Sequence, residues 1–235
     1  MRPRPRRSTA SLTRAGRAPL LYLITDRHAT GGRPLPDVVA AALRGIGGGV
    51  APAQVAVQLR EKDLSGRALT ELARALRAVT AAAGVALYVN DRVDVALAVG
   101  ADGVHLGGES LPVATAAAIA GGLALSIGVS VHAAAEVAAL RAERIAFALL
   151  GPIHDTPSKR RYGPPLGLTA VTDAARTGIP IVAVGGVGPA QVRALRAAGA
   201  HGVACIRAAM AAPDPSEAVK AFCKELIDFR KMDTV

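Results

Sequence analysis

The chain repeats one pattern eight times. Short apolar runs recur at LLYLIT (20–25), VAVQL (55–59), VALYV (85–89), GVHL (103–106), LALSIGV (123–129), IAFALL (145–150), IPIVAV (179–184) and GVACI (202–206). Each is four to seven residues long and mostly apolar throughout. A strand with one wet face alternates apolar with polar; a strand covered on both faces does not. The runs therefore predict buried parallel strands.

Segments of helical period separate them. SGRALTELARALRAVTAAAG (65–84) is the clearest, with Ser65 as N-cap, Leu69, Leu72 and Leu76 on one face, and Gly84 as the stop. GPAQVRALRAAGA (188–200) places Val192 and Leu195 inward, with Gly199 after its end. DPSEAVKAFCKELIDFRK (214–231) closes the chain as an amphipathic helix.

Eight strand–helix units in about 215 residues predict a closed (β/α)8 barrel, an α/β TIM barrel, at the short end of the usual range. A doubly wound open sheet would carry a glycine-rich turn after its first strand. Here that strand ends in TDRH, and the steady unit length of about 25 residues favours closure. No linker or composition break marks a second domain. We expect a single barrel over 19–235, preceded by a disordered basic extension over 1–18.

That extension accounts for much of the charge. The net charge is +10, and Arg2, Arg4, Arg6, Arg7, Arg14 and Arg17 supply six of the ten, with no acid among them. The extension lacks the apolar region of a secretory signal, and its prolines oppose the amphipathic helix of an organelle leader. The body without it is only modestly basic, so nucleic acid is not an expected partner. Apolar stretches such as VALAVGADGV are short and interrupted, so no membrane span is expected. Aromatic residues are 3% with no Trp, so the core must be built from Ala, Val, Leu and Ile. The two cysteines, Cys205 and Cys223, lack metal-ligand spacing; Cys205 reads as a small core residue. A cytoplasmic location is the default expectation. A homo-oligomer fits the sequence as well as a monomer does.

Barrels of this kind build their sites at the C-terminal ends of the strands. Ionisable and polar residues collect at almost every one: Thr25, Asp26 and Arg27; Gln58, Arg60 and Lys62; Asn90, Asp91 and Arg92; His105, Glu109 and Ser110; Ser130 and His132; Arg207; the seventh strand ends instead in Gly185 and Gly186. Alternate strand residues point the same way, so Gln58, Arg60 and Lys62 are expected to share one face, an amide with two cations. That set suits a multiply charged anion. After the sixth strand, GPIHDTPSKRRYGPP (151–165) crowds hydroxyls and cations onto one loop, as an anion site would. After the seventh, Gly185 and Gly186 allow backbone N–H groups to approach a phosphate closely.

These motifs carry a resemblance. YLITD, QLREKDLSGRAL, YVNDRVDVALAVGADGVHLG, IGVSVH, GPIHDTPSK, PPLGL, IPIVAVGGV and AGAHGVACIRA, in that order and spacing, resemble the thiamine phosphate synthase superfamily over roughly residues 20–230. The superfamily also includes a closely similar thiazole tautomerase. The resemblance implies a (β/α)8 barrel that joins hydroxymethylpyrimidine diphosphate to thiazole phosphate, releasing diphosphate. It implies that Gln58, Arg60, Lys62 and Asn90 hold the diphosphate and that Asp91 binds Mg2+. It implies substrate contacts from Ser130, Thr156, Ser158, Lys159, Ile206 and Arg207, and a thiazole-phosphate contact from the Gly186 N–H. Arg60, Lys62, Lys159 and His132 are the residues it marks as catalytic.

The chain also departs from the family pattern. GGES stands where the family reads Gly-Gln-Glu-Asp, so Ser110 occupies the place of a second metal-ligand Asp, and the adjacent carboxylate Glu109 is expected to bind Mg2+ in its stead, directly or through water. Arg207 replaces a frequent Ser, and Asp155 a usual Pro. Two alternatives follow: a cofactor-free tautomerase with His132 moving a proton, or a non-catalytic phosphate binder. The intact diphosphate motifs oppose both. His105 and His201 are expected to be structural, and His28 has no assigned role; His154 lies where it could meet substrate.

Overall fold

The computed structural model describes residues 17–123, 125–140, 143–156 and 164–232. The first sixteen residues of the expected basic extension lie outside it. Eight parallel strands form a closed barrel: β1 (Leu21–Ile24), β2 (Val55–Leu59), β3 (Ala86–Asn90), β4 (Gly103–Leu106), β5 (Ser126–Val131), β6 (Phe147–Leu150), β7 (Ile181–Ala183) and β8 (Gly202–Cys205). Each pairs with the next, and β8 returns to β1 through Leu21↔Val203 and Leu23↔Cys205. Helices pack outside: α1 (Leu35–Arg44), α2 (Gly66–Ala83), α3 (Val93–Val99), α4 (Val113–Ala120), α5 (Ala134–Ala139), α6 (Gly167–Ala175), α7 (Val192–Ala197), α8 (Arg207–Met210) and α9 (Pro215–Met232). Among the described residues no helix is long and apolar enough to cross a membrane.

Strand alternation divides the core in two. Leu21, Leu23, Val57, Leu59, Leu87, Val89, Val104, Leu106, Ile181 and Val203 face the helices. Tyr22, Ile24, Ala56, Tyr88, Phe147, Leu149, Val182 and Ala204 fill the lumen. Both faces are dry, which is why the runs do not alternate in hydropathy. Three of the six aromatics, Tyr22, Tyr88 and Phe147, lie inside. Tyr22 packs edge-on against Tyr88 and Phe147, with ring centroids 5.6 and 5.2 Å away. Gly128 makes room for them: a Cβ there would lie 2.6 Å from Phe147 and 2.8 Å from His105.

The elements follow local signals closely. Ser65 Oγ accepts the Ala68 N–H at the start of α2, and Gly84, at φ 72°, ends it. Leu69 and Leu76 are buried, and Leu72 packs partly buried against them. The segment 188–200 instead divides into a 3-10 turn, Pro189–Gln191, and the short α7. The fifth strand also differs from the expected 123–129. Leu123 is 54% exposed in the turn after α4, and pairing begins at Gly103↔Ser126. An apolar run does not mark where pairing starts; the neighbouring strand's register does. Ser130 consequently lies within β5.

Candidate active site

Thr25, directly after β1, is buried, and its hydroxyl donates to Glu61 Oε1 at 2.7 Å. Thr25 Oγ1 in turn accepts the Arg60 N–H at 2.9 Å. The expected strand alternation through Gln58, Arg60 and Lys62 therefore stops early. β2 ends at Leu59, whose last partner is Val89 on β3; pairing with β1 stops one residue earlier, at Ile24↔Gln58. Gln58 is an inward strand residue, 1% exposed; Arg60 and Lys62 are exposed on the following turn, with Glu61 buried between them. Burial, then the nearby Tyr88 phenol, push the Tyr22 pKa well above its ordinary value, against a smaller lowering by the Gln58 amide. Its oxygen and nitrogen nevertheless find no hydrogen-bond partner among the described residues. A buried amide with both ends unmatched is costly, and it is a ready contact for a polar ligand.

Asn90 and Asp91 close β3. Asp91 has φ 61°, a strained backbone for a non-glycine residue. Its carboxylate is held from both sides: Asn90 Nδ2 donates to Oδ2 at 2.6 Å, and the Ser110 hydroxyl donates to Oδ1. Ser110 Oγ in turn accepts the Gly107 N–H. Lys62 Nζ lies 3.9 Å from Asp91 Oδ2, so the β2 and β3 turns meet through opposite charges. Glu109 is exposed and makes no hydrogen bond to this group among the described residues.

His105 lies beneath them in the lumen, 1% exposed. Its ring bonds Ser130 Oγ at 2.9 Å and Tyr22 Oη at 3.3 Å. Burial pushes its pKa down to about 3, with Asp91 raising it and Arg60 lowering it. The imidazole is therefore neutral at ordinary pH. The expected structural role holds, with the addition that His105 supports Ser130. His201 is likewise tied to the fold, through the Ala18 carbonyl at 3.0 Å.

The far side of the mouth is built by backbone. His132 Nδ1 bonds the Gly151 carbonyl at 2.7 Å; a carbonyl only accepts, so the proton sits on Nδ1. The segment after β6 then runs along the end of β7, with Ile153 N–H to Val184 O at 2.9 Å and His154 N–H to Gly185 O at 3.0 Å. Gly186 has φ 64°, and a Cβ there would lie 2.8 Å from both Asp155 O and His154 Cβ. Only glycine satisfies that backbone and that space. Thr156 is half-buried beside it, while Ser158 and Lys159 fall in 157–163, outside the described residues. Ile206 is half-buried at the start of α8, and Arg207 is exposed on its first turn.

Sequence reasoning missed Glu61 and the active part played by Thr25. Glu61 accepts from the Thr25 hydroxyl, the Arg27 N–H (3.1 Å) and Arg27 Nη1 (3.2 Å). Arg27 also forks onto Asp63, which His28 Nε2 approaches at 3.0 Å. The Arg27 bond, then the His28 bond, hold the Asp63 carboxyl well below the usual range. The available signal was an acid set between two cations in QLREK.

Asp91 is the carboxylate best placed for a metal. Among the described residues no three His, Cys, Asp or Glu side chains converge. Mg2+ does not require that: it keeps several waters and takes one or two carboxylates together with substrate phosphates. A single oriented carboxylate, bonded to a hydroxyl and facing a lysine across 3.9 Å, fits an ion that arrives with diphosphate.

Known proteins are similar to this chain over most of its length. A chain from Geobacter sulfurreducens is 50% identical over 202 residues, covering 86% of this chain and 91% of that one. The thiamine-phosphate synthase of Roseiflexus castenholzii is 43% identical over 205 residues, covering 87% and 86%. The solved thiamine phosphate pyrophosphorylase of Pyrococcus furiosus superposes with a TM-score of 0.78 at 32% identity, covering 92% of this chain and 98% of that one. The family model for thiamine monophosphate synthase matches residues 21–209, from β1 into α8, and the chain belongs to that family.

Proposed function

We propose that the chain is a thiamine-phosphate synthase, a transferase of thiamine biosynthesis acting in the cytoplasm. It joins hydroxymethylpyrimidine diphosphate to thiazole phosphate. The observation that carries this reading is the mouth of β2 and β3. Arg60 and Lys62 are exposed there, Lys62 3.9 Å from Asp91, beyond the buried Gln58 amide, which has no hydrogen-bond partner among the described residues. An isomerase acting on a monophosphate has no use for a second phosphate site.

In this reaction the bond between the pyrimidine methylene carbon and the diphosphate oxygen breaks. Its electron pair leaves with diphosphate. The thiazole nitrogen supplies its own lone pair to the same carbon, so no proton has to move. The protein's task is to stabilise the leaving charge and keep water from the cationic carbon. Arg60 and Lys62, with Gln58 and Asn90, hold the diphosphate. Ser130, braced by His105, contacts the pyrimidine substrate. The Gly186 N–H, with Thr156, Ser158, Lys159, Ile206 and Arg207, holds the thiazole phosphate. Lys159 is the further cation that would stabilise the leaving charge. His132, its Nδ1–H given to the Gly151 carbonyl, holds the turn that begins the phosphate loop. Mg2+, taken by Asp91 with Glu109 nearby, would neutralise charge on the departing diphosphate.

The test is direct. Purified protein is incubated with both substrates, with and without Mg2+, and thiamine phosphate is read by mass. We expect product that disappears when the metal is chelated. No product from natively folded protein overturns the reading. Isomerisation of thiazole carboxylate phosphate without any join would replace it with the tautomerase.

A further inference from the structure

We infer that Glu61 is a positioning residue: with Thr25 and Arg27 it fixes the backbone from which Arg60 and Lys62 reach the diphosphate. This rests on the synthase reading.

Arg60 and Lys62 sit on a turn beyond the end of β2, where no strand pairing holds the chain. Both side chains are exposed, and long cations on a free turn would spread over many positions. Glu61 removes that freedom. It is only 5% exposed, and its carboxylate accepts three donors, all from the β1 turn: the Thr25 hydroxyl, the Arg27 N–H and Arg27 Nη1. The charge also sets a direction. A carboxylate cannot donate, so Thr25 must spend its one proton on Glu61, leaving a lone pair for the Arg60 N–H at 2.9 Å. The residue between the two cations is thus anchored by its side chain, and one of the cations by its main chain. Arg27 continues the strap outward to Asp63, so residues 25–28 and 60–63 lock onto one another.

An amide at position 61 has a single acceptor oxygen and two donors. Glu61→Gln would therefore lose part of the set and could reverse the Thr25 bond. The expected effect is selective. Binding of inorganic diphosphate, followed by calorimetry, weakens about tenfold or more, and KM for the pyrimidine diphosphate rises alike. KM for thiazole phosphate, bound across the mouth, stays put.

If wild-type protein binds diphosphate and Glu61→Gln binds it equally well, the inference fails while the synthase reading stands. The inference also fails if both KM values rise together, since that reports general loosening. Wild-type protein that binds no diphosphate overturns the synthase reading and this inference with it. Should Glu61→Gln not fold, Thr25 decides. Thr25→Val keeps the shape without the hydroxyl, and Thr25→Ser restores the hydroxyl. Recovery by Ser of most of the affinity lost with Val supports the strap; equal affinity in the two overturns it.

Discussion

At the scale of single residues, environment separates chemically similar groups. Ser110 and Asp91 share one proton-donating bond, so the oxygen that a metal would use is already partly neutralised. A second carboxylate at that position would repel Asp91 without metal and attract a cation with it. We expect Ser110→Asp to lower the thermal midpoint in chelator. With Mg2+ and diphosphate the midpoint should rise by several degrees more than that of the wild type. A variant indifferent to Mg2+ would remove Asp91 from the metal site. Cys205 shows environment acting alone. It is buried between sheet and helices, and burial pushes its thiol up to about 12. A folded pKa above the unfolded value near 9 means that the unfolded chain loses its proton first. Stability tied to Cys205 is therefore complete below about pH 9 and falls as pH rises toward 12, by on the order of 1 kcal/mol per pH unit. Cys205→Ala should flatten that alkaline limb in denaturant titrations. A limb of unchanged slope would show that the thiol does not titrate with unfolding.

At the scale of elements, the sequence was legible wherever one local rule acted without competition. β2 and β4 keep the bounds of their apolar runs, because dry faces on both sides leave no other reading. α2 lies between its Ser65 cap and Gly84. The failures have identifiable causes. Leu123 is apolar yet exposed, so composition placed β5 too early and hid that Ser130 points into the lumen from within a strand. The shared face drawn for Gln58, Arg60 and Lys62 assumed that β2 continued. Its end is set by where its neighbours stop pairing, at Ile24↔Gln58 and Leu59↔Val89, a non-local quantity. The same strand end explains why Glu61 was overlooked. Past the last paired residue, side-chain direction depends on which polar groups need partners, and the alternation rule says nothing about that. His105 was rightly read as structural from its apolar surroundings. Its contact with Ser130 depends on β4–β5 register, which no single run reveals.

At the scale of the whole molecule, closure makes the first and last segments of the chain neighbours. β1 pairs with β8, and α9 packs against α1, α7 and α8. The fit is close: a Cβ on Gly45, just after α1, would collide with the Ser216 carbonyl of α9. Val219, Phe222, Cys223 and Leu226 form the buried face of α9, and Phe222 has no exposed surface. Because the barrel has no open edge, strands cannot peel away one at a time without breaking pairing on both sides. Damage at the α9 seam should therefore be felt in the lumen, where Tyr22 and Tyr88 pack far from it in sequence. We expect Phe222→Ala to cost about 3–5 kcal/mol, the usual range for emptying a buried aromatic position. The loss should appear as one transition. Helix content by far-ultraviolet dichroism and lumen packing by near-ultraviolet tyrosine dichroism would shift to the same lower denaturant midpoint. If the helix signal moved first while the tyrosine signal kept its wild-type midpoint, α9 would be an independently fraying attachment and the barrel would hold its own closure.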